Sequence, residues 1–113
     1  MNERDMAVLK HIVRYCDEIE EAKTVFGDSL EMMKENNVYK NAAAMCIIQI
    51  GELTTHLSEG FKTEHSHIPW RDIKGMRNIA AHHYGRFDSQ KLFETITEDI
   101  PALREFCSKI IGQ

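Results

Sequence analysis

The chain has 113 residues and a formal net charge of −4, with 14 Lys and Arg set against 18 Asp and Glu. That length suits a single domain, taken as residues 1–113, with one core and not two. The acidic balance excludes a protein that coats nucleic acid nonspecifically. The chain opens without an apolar run behind a basic head, and no stretch approaches the roughly 18 apolar residues of a membrane span. The sequence therefore predicts a cytoplasmic protein without membrane contact. Cys16, Cys46 and Cys107 are odd in number, far apart and each inside an apolar segment. They read as buried free thiols of a reducing compartment, not as a disulfide framework or a metal site.

Taken in order, residues 4–25 carry Leu9, Ile12, Val13, Cys16 and Ile19 at helical spacing, which predicts an amphipathic helix. Asp17, Glu18, Glu20 and Glu21 lie beside that stripe and read as a solvated face, with a metal-binding or histidine-orienting carboxylate pair as the alternative. Gly27 ends this helix, and Asp28 or Ser29 can cap a short second one running to about Glu35. Asn36-Asn37 reads as a turn, followed by a helix over residues 39–58. Its first half, residues 42–48, is apolar on every side, which predicts a central helix packed by neighbours or by a partner subunit. Gly51 in its interior costs about 1 kcal/mol relative to alanine, so the close approach of another backbone is expected there. Gln49 and Glu52 beside it read as supporting or packing residues that need polar partners if buried.

Residues 60–68 read as the one real loop. His65 and His67 alternate within it, but no third ligand lies at metal-binding spacing, so no metal is expected. Pro69 suits a helix first turn, with Trp70 and Ile73 pinning that turn to the core. A fourth helix then runs through Lys74 and Arg77 to Tyr84 and stops at Gly85. Asp88 or Ser89 caps the last helix, whose stripe is Leu92, Phe93, Ile96, Ile100, Leu103, Phe106 and Ile110. Pro101 inside it predicts a kink. No strand, internal repeat or low-complexity segment is recognisable, and the fold class is an all-α bundle.

The densest chemistry lies in residues 77–84, Arg-Asn-Ile-Ala-Ala-His-His-Tyr. Arg77 offers a fork of donors matched to phosphate oxygens, and His82 and His83 titrate nearest neutrality and can both take and give a proton. Together they suit phosphate-ester chemistry, and RNA is the phosphate ester that can be cleaved without a metal. The alternative is a solvated helix end that happens to carry polar residues. Charge supports a site: residues 71–91 hold Arg71, Lys74, Arg77, Arg86 and Lys91 against Asp72 and Asp88, a local +3 that leaves −7 for the remainder. A focused positive patch on an acidic body fits the binding of one or a few phosphates. On one straight helix, however, Arg77 and His82 are splayed by about 140°, whereas Arg77 and Tyr84 lie within about 20°. Either the helix unwinds near His82, or a second copy of the chain completes the site. Ala80 and Ala81 are small enough to let another helix approach closely.

Four pieces of the chain resemble the HepT-like family, a branch of the HEPN superfamily of small helical nucleases, most of them bacterial or archaeal toxins. These are Ile50-Gly51-Glu52, Ile68-Pro69-Trp70, Gly75-Met76-Arg77-Asn78, and Arg77-x4-His82-x-Tyr84. The acidic-capped last helix with its internal proline is similar too. The resemblance implies a HEPN-like up-and-down bundle of four to five helices, dimeric, with a composite RNase site at the two-fold interface. Arg77 and His82 would be its catalytic residues and Asn78 and His83 would support them. His83 also satisfies the looser spacing of the family motif, but a tyrosine two residues on favours His82. Tyr84 would be the position adenylylated by an MNT-type nucleotidyltransferase antitoxin. The implied protein is a metal-independent endoribonuclease toxin acting on RNA, with no cofactor. The rival expectation is a non-catalytic HEPN-like dimer that binds nucleotides or partner proteins.

Overall fold

The computed structural model describes residues 1–82 and 88–112, and for residues 78–82 the backbone alone. Among the described residues the chain is a bundle of helices without strands: α1 (Glu3–Phe26), α2 (Leu30–Glu35), α3 (Asn37–Thr54), α4 (Glu59–Glu64), α5 (Trp70–His82), α6 (Ser89–Glu94) and α7 (Ile100–Ile111). A π turn, Thr95–Asp99, joins the last two into one continuous helical run. Helix α3 is central, packing against α1 on one side and α5 on another, and α7 closes against α1. None of the described helices is long and apolar enough to cross a membrane.

Local chemistry sets most boundaries. Asn2 caps α1 by accepting from the Asp5 amide, and Gly27 ends the helix at φ 109°, a conformation that L side chains rarely adopt. Ser29 caps α2 and Asp88 caps α6, each through its side-chain oxygen. Asn36 is an N-cap and not part of a turn: its side chain accepts from Val38 and Tyr39, so α3 starts two residues before the periodicity suggested. The same helix stops at Thr54, short of Ser58. The hydroxyls of Thr54 and Thr55 bond back to the carbonyls of Gly51 and Glu52 at 2.7 and 2.6 Å, and the amides of Thr55, His56 and Leu57 tighten to i−3 partners.

One further expectation is corrected. Residues 60–68 are not all loop, because α4 occupies Glu59–Glu64, capped by Ser58 and anchored by the buried Phe61. Six residues with one buried apolar side chain carry too little periodicity to register in sequence. At Pro101 the helical run answers with the preceding π turn, in which the Ile100 amide reaches back five residues to the Thr95 carbonyl. Pro101 cannot donate an amide hydrogen, and its ring would crowd the carbonyl four residues earlier in a regular α-helix. The widened turn places it instead in the first turn of α7, where the missing donor costs little.

The core unites the α1 stripe (Leu9, Ile12, Val13, Cys16, Ile19) with Ala43, Ala44, Ile47 and Ile50 of α3 and with Ile96, Ile100, Leu103 and Cys107 of the C-terminal run. Burial pushes the Cys16 and Cys107 thiols up to about 12 and the Cys46 thiol to about 11, so none is a ready nucleophile at neutral pH. Cys46 is only half-buried, not buried as expected. The carboxylate cluster on α1 is put to structural use, with Asp17 paired to Arg104 of α7 and Glu20 to Lys23. Asp5 is buried, and its carboxylate accepts from the Ser58 amide at 2.8 Å and from the Ser58 hydroxyl at 2.6 Å. Hydrogen bonds to a charged group contribute about 1.5–3 kcal/mol each, so this pair ties the start of α1 firmly to the entry of α4.

Candidate active site

Helix α5 is fixed at its start by Trp70, whose indole Nε1 donates to the His65 carbonyl at 3.1 Å, and by the buried Ile73. The Trp70 ring rests against Phe61 and Phe106, which lie 6.1 and 5.9 Å away between ring centroids. His65 and His67, weighed above as a metal pair, sit edge-on around the same Phe106 ring at 5.2 and 5.6 Å. Among the described residues, no group of three or more His, Cys, Asp or Glu is arranged to hold a metal ion.

Further along, α5 crosses α3 at Gly51. A Cβ at Gly51 would lie 2.7 Å from the Arg77 Cβ, 3.2 Å from the Ile73 carbonyl oxygen and 3.3 Å from the Arg77 nitrogen. The glycine is therefore the seat on which Arg77 rests, and the backbone approach expected from sequence is found. One residue later on α3, Glu52 accepts from Arg77 Nη1 through Oε2 at 2.7 Å. Its other oxygen, Oε1, lies 3.9 Å from His56 Nε2, and His56 Nδ1 lies 3.3 Å from Arg4 Nη2. Arg4, His56, Glu52 and Arg77 thus form a polar line running from α1 through the end of α3 to α5. Arg77 is about one-quarter exposed and Glu52 about half exposed. The pair is solvent-screened, and its value lies in orientation more than in stability.

Of the predicted site residues, Arg77 is described with its side chain. Asn78 and His82 lie in α5 by backbone, with side chains outside the described residues, and His83 and Tyr84 lie outside the described residues altogether. Helix α5 is regular through His82. It therefore does not unwind before the histidine, and Arg77 and His82 stay splayed by about 140° within one chain. In sequence Glu52 read as a supporting or packing residue beside Gly51, without its partner, and His56 and Arg4 were missed. The available cue was the Glu52–His56 spacing of four, which would put both on one face of a helix running over residues 39–58 as the periodicity suggests. Nothing local announces Arg4.

The comparisons agree with this architecture. A family profile described as ribonuclease HepT-like matches residues 14–110, most of the chain and all of α2 to α6. A protein of Caldanaerobacter subterraneus subsp. tengcongensis, named "Putative RNase", is 32% identical over 103 residues, covering 91% of this chain and 90% of its own. A second "Putative RNase", from Methanocaldococcus jannaschii, is 30% identical over 114 residues, covering 98% of this chain and 91% of its own. The "Probable ribonuclease HepT" of Thermococcus cleftensis is 40% identical over a shorter 55 residues, about half of each chain. No solved structure matches. With a profile spanning both α3 and α5, and relatives similar along nearly their whole lengths, the chain belongs to the HepT-like ribonuclease family.

Proposed function

We propose that the chain is a homodimeric HEPN-type endoribonuclease, the toxin of a toxin–antitoxin pair, cutting RNA without a metal through Arg77 and His82. The observation that carries this reading is the bracing of Arg77 by Gly51 and Glu52 on a helix that stays regular to His82. A guanidinium so held is a fixed fork for phosphoryl oxygens. A separation of about 140° around the helix axis supports a histidine supplied by a second copy. The stripe Val38, Ala42, Met45, Gln49, Glu52 on α3 supports such a copy. Val38 and Met45 are 63% and 55% exposed although apolar, and the stripe leads directly to the carboxylate that holds Arg77. Residues 42–48 are apolar on every side, one side packed by its own chain and the other left for a partner.

In the proposed reaction His82 takes the proton of the ribose 2′-hydroxyl or gives one to the departing 5′-oxygen. The 2′-oxygen bonds to phosphorus, the phosphorus–5′-oxygen bond breaks, and a 2′,3′-cyclic phosphate and a 5′-hydroxyl result. Arg77 stabilises the charge that builds on the phosphoryl oxygens. Asn78 and His83 support the phosphate or the histidine. The test is RNA cleavage by the purified protein in the presence of EDTA. His82→Ala is expected to abolish cleavage while fold and dimer persist, and His83→Ala to reduce it less. Activity that vanishes with the chelator and returns with a divalent ion would refute the mechanism. A stable monomer at micromolar concentration with no cleavage would favour the non-catalytic binding module.

Control is assigned to Tyr84. An AMP group on its phenol adds bulk and a negative phosphodiester seven residues after Arg77 in the sequence, where it would repel the RNA phosphate. Incubation with an MNT-type nucleotidyltransferase and ATP is expected to add AMP to the intact mass. The gain should disappear in Tyr84→Phe, and RNase activity should fall as the label rises. Label on another residue, or modified protein cutting at the full rate, would remove this part of the proposal.

A further inference from the structure

A shallow groove of about 330 Å³ opens beside the α3–α5 crossing, lined by Thr54, Thr55, Glu59, Lys62, Trp70, Arg71 and Lys74. Its charge runs against that of the chain: three cations face a single carboxylate on a protein of net charge −4. Glu59 is engaged by Lys62 at 3.3 Å, while Arg71 and Lys74 are exposed and have no ion-pair partner among the described residues. The groove is therefore not neutralised from within. The threonine hydroxyls donate to the carbonyls of Gly51 and Glu52, so the donors left for an anion are the cations. Lys74 precedes Arg77 by about 4.5 Å of helix rise and Arg71 precedes it by about 9 Å, each step turning about 60° around the axis. Arg77, Lys74 and Arg71 make a winding ladder of positive charge that leads from the candidate active site into the groove. Trp70 lines the same groove, its indole held by the bond to the His65 carbonyl. A rigid aromatic wall beside a file of cations is the combination that holds unpaired nucleotides, phosphates on the cations and a base on the ring.

We infer that this groove is the track for the single-stranded RNA flanking the scissile phosphate, binding it through Arg71, Lys74 and Lys62 without regard to sequence. The inference rests on the ribonuclease reading for its ligand, so its test separates binding from cleavage. A short 2′-O-methyl oligonucleotide, which lacks the attacking hydroxyl, is titrated by fluorescence anisotropy over a range of salt concentrations. The proteins compared are the wild type, R71E/K74E, R71Q/K74Q and a control, K10E/K34E, which makes the same change in net charge at exposed lysines of α1 and α2. R71E/K74E is expected to weaken binding tenfold or more. R71Q/K74Q should lower the slope of log affinity against log salt by about 1.4, two lost phosphate contacts at about 0.7 each. The control should bind within about twofold of the wild type, because only long-range charge is altered. Unchanged binding and slope in the Arg71 and Lys74 variants, or equal weakening in the control, would overturn the track. A wild type that binds the oligonucleotide through these residues but cuts nothing would instead overturn the ribonuclease reading and leave the track standing.

Discussion

Arg77→Ala is expected to lower the rate of RNA cleavage by about 10²-fold or more, with the unfolding free energy changing by less than about 1 kcal/mol. The two numbers part company because the contacts seen for the side chain add little to folding beside what its charge adds to the rate. Its Cβ fills the space above Gly51, and alanine keeps that atom. Its guanidinium pairs with the half-exposed Glu52, and solvent-screened pairs of this kind contribute only about 0.2–1 kcal/mol to folding. A charge stabilising phosphoryl oxygens in the transition state contributes far more to rate than that. Arg77→Lys is expected to recover little, since an ammonium cannot present the planar fork or be held by one carboxylate oxygen in the same orientation. Cleavage kinetics and thermal unfolding on the same preparations check the pair. If Arg77→Ala cuts at near the wild-type rate, the catalytic assignment fails whatever the stability shows.

Gly51→Ala is expected to destabilise the bundle by about 1–2 kcal/mol and to depress activity by a larger factor than the loss of folded protein explains. Two effects compete. Removing a mid-helix glycine would by itself stabilise α3 by about 1 kcal/mol. The added methyl, however, meets the Arg77 Cβ at 2.7 Å and two backbone atoms of α5 at 3.2 and 3.3 Å, none of which is the movable end of a side chain. The helices must separate, and overpacking of this kind costs about 1–3 kcal/mol, which outweighs the propensity gain. Separation carries Arg77 with it, and a displacement of about 1 Å at a catalytic group can cost 10²-fold. Circular-dichroism melts and cleavage rates measured well below the transition distinguish the two contributions. A more stable, fully active Gly51→Ala protein would show that the crossing is looser than its geometry indicates.

Both predictions turn on a residue whose meaning was already visible in sequence, since a glycine inside an apolar helix implies a close neighbour. The ends of α1, α2 and α6 were legible for a related reason: Gly27, Ser29 and Asp88 act through their own backbone and side chains within a few residues. The face of Ile12, Cys16 and Ile19 declared itself by spacing. What escaped was short or distant. Helix α4 holds six residues and one buried apolar side chain, too few to show a period. The bonds from Asp5 to Ser58 and from Arg4 to His56 span more than 50 residues and depend on how α1 lies along α3 and α4, which no local pattern encodes. Glu52 was noticed as a neighbour of Gly51, but its partnership with Arg77 emerges only once the two helices cross. The motif Arg77-x4-His82-x-Tyr84 gave the chemistry, while the carboxylate that orients the arginine lay 25 residues upstream.

The π turn at Thr95–Asp99 bears on how this chain should be compared with its relatives. A five-back hydrogen bond holds one residue more than an α-helical turn does, so it amounts to a single-residue insertion tolerated without breaking the rod. Each residue advances an α-helix by about 100°, and the widened turn absorbs that advance, so the residues beyond it keep the faces they would hold with one residue fewer. Leu103 and Cys107 thus reach the core, and Arg104 reaches Asp17, one position later in sequence than an unbroken α-helix from α6 would bring them. A homologue lacking the inserted residue must therefore carry its C-terminal apolar stripe in a different phase. An alignment through this region is sound only where a one-residue gap and a shifted stripe occur together.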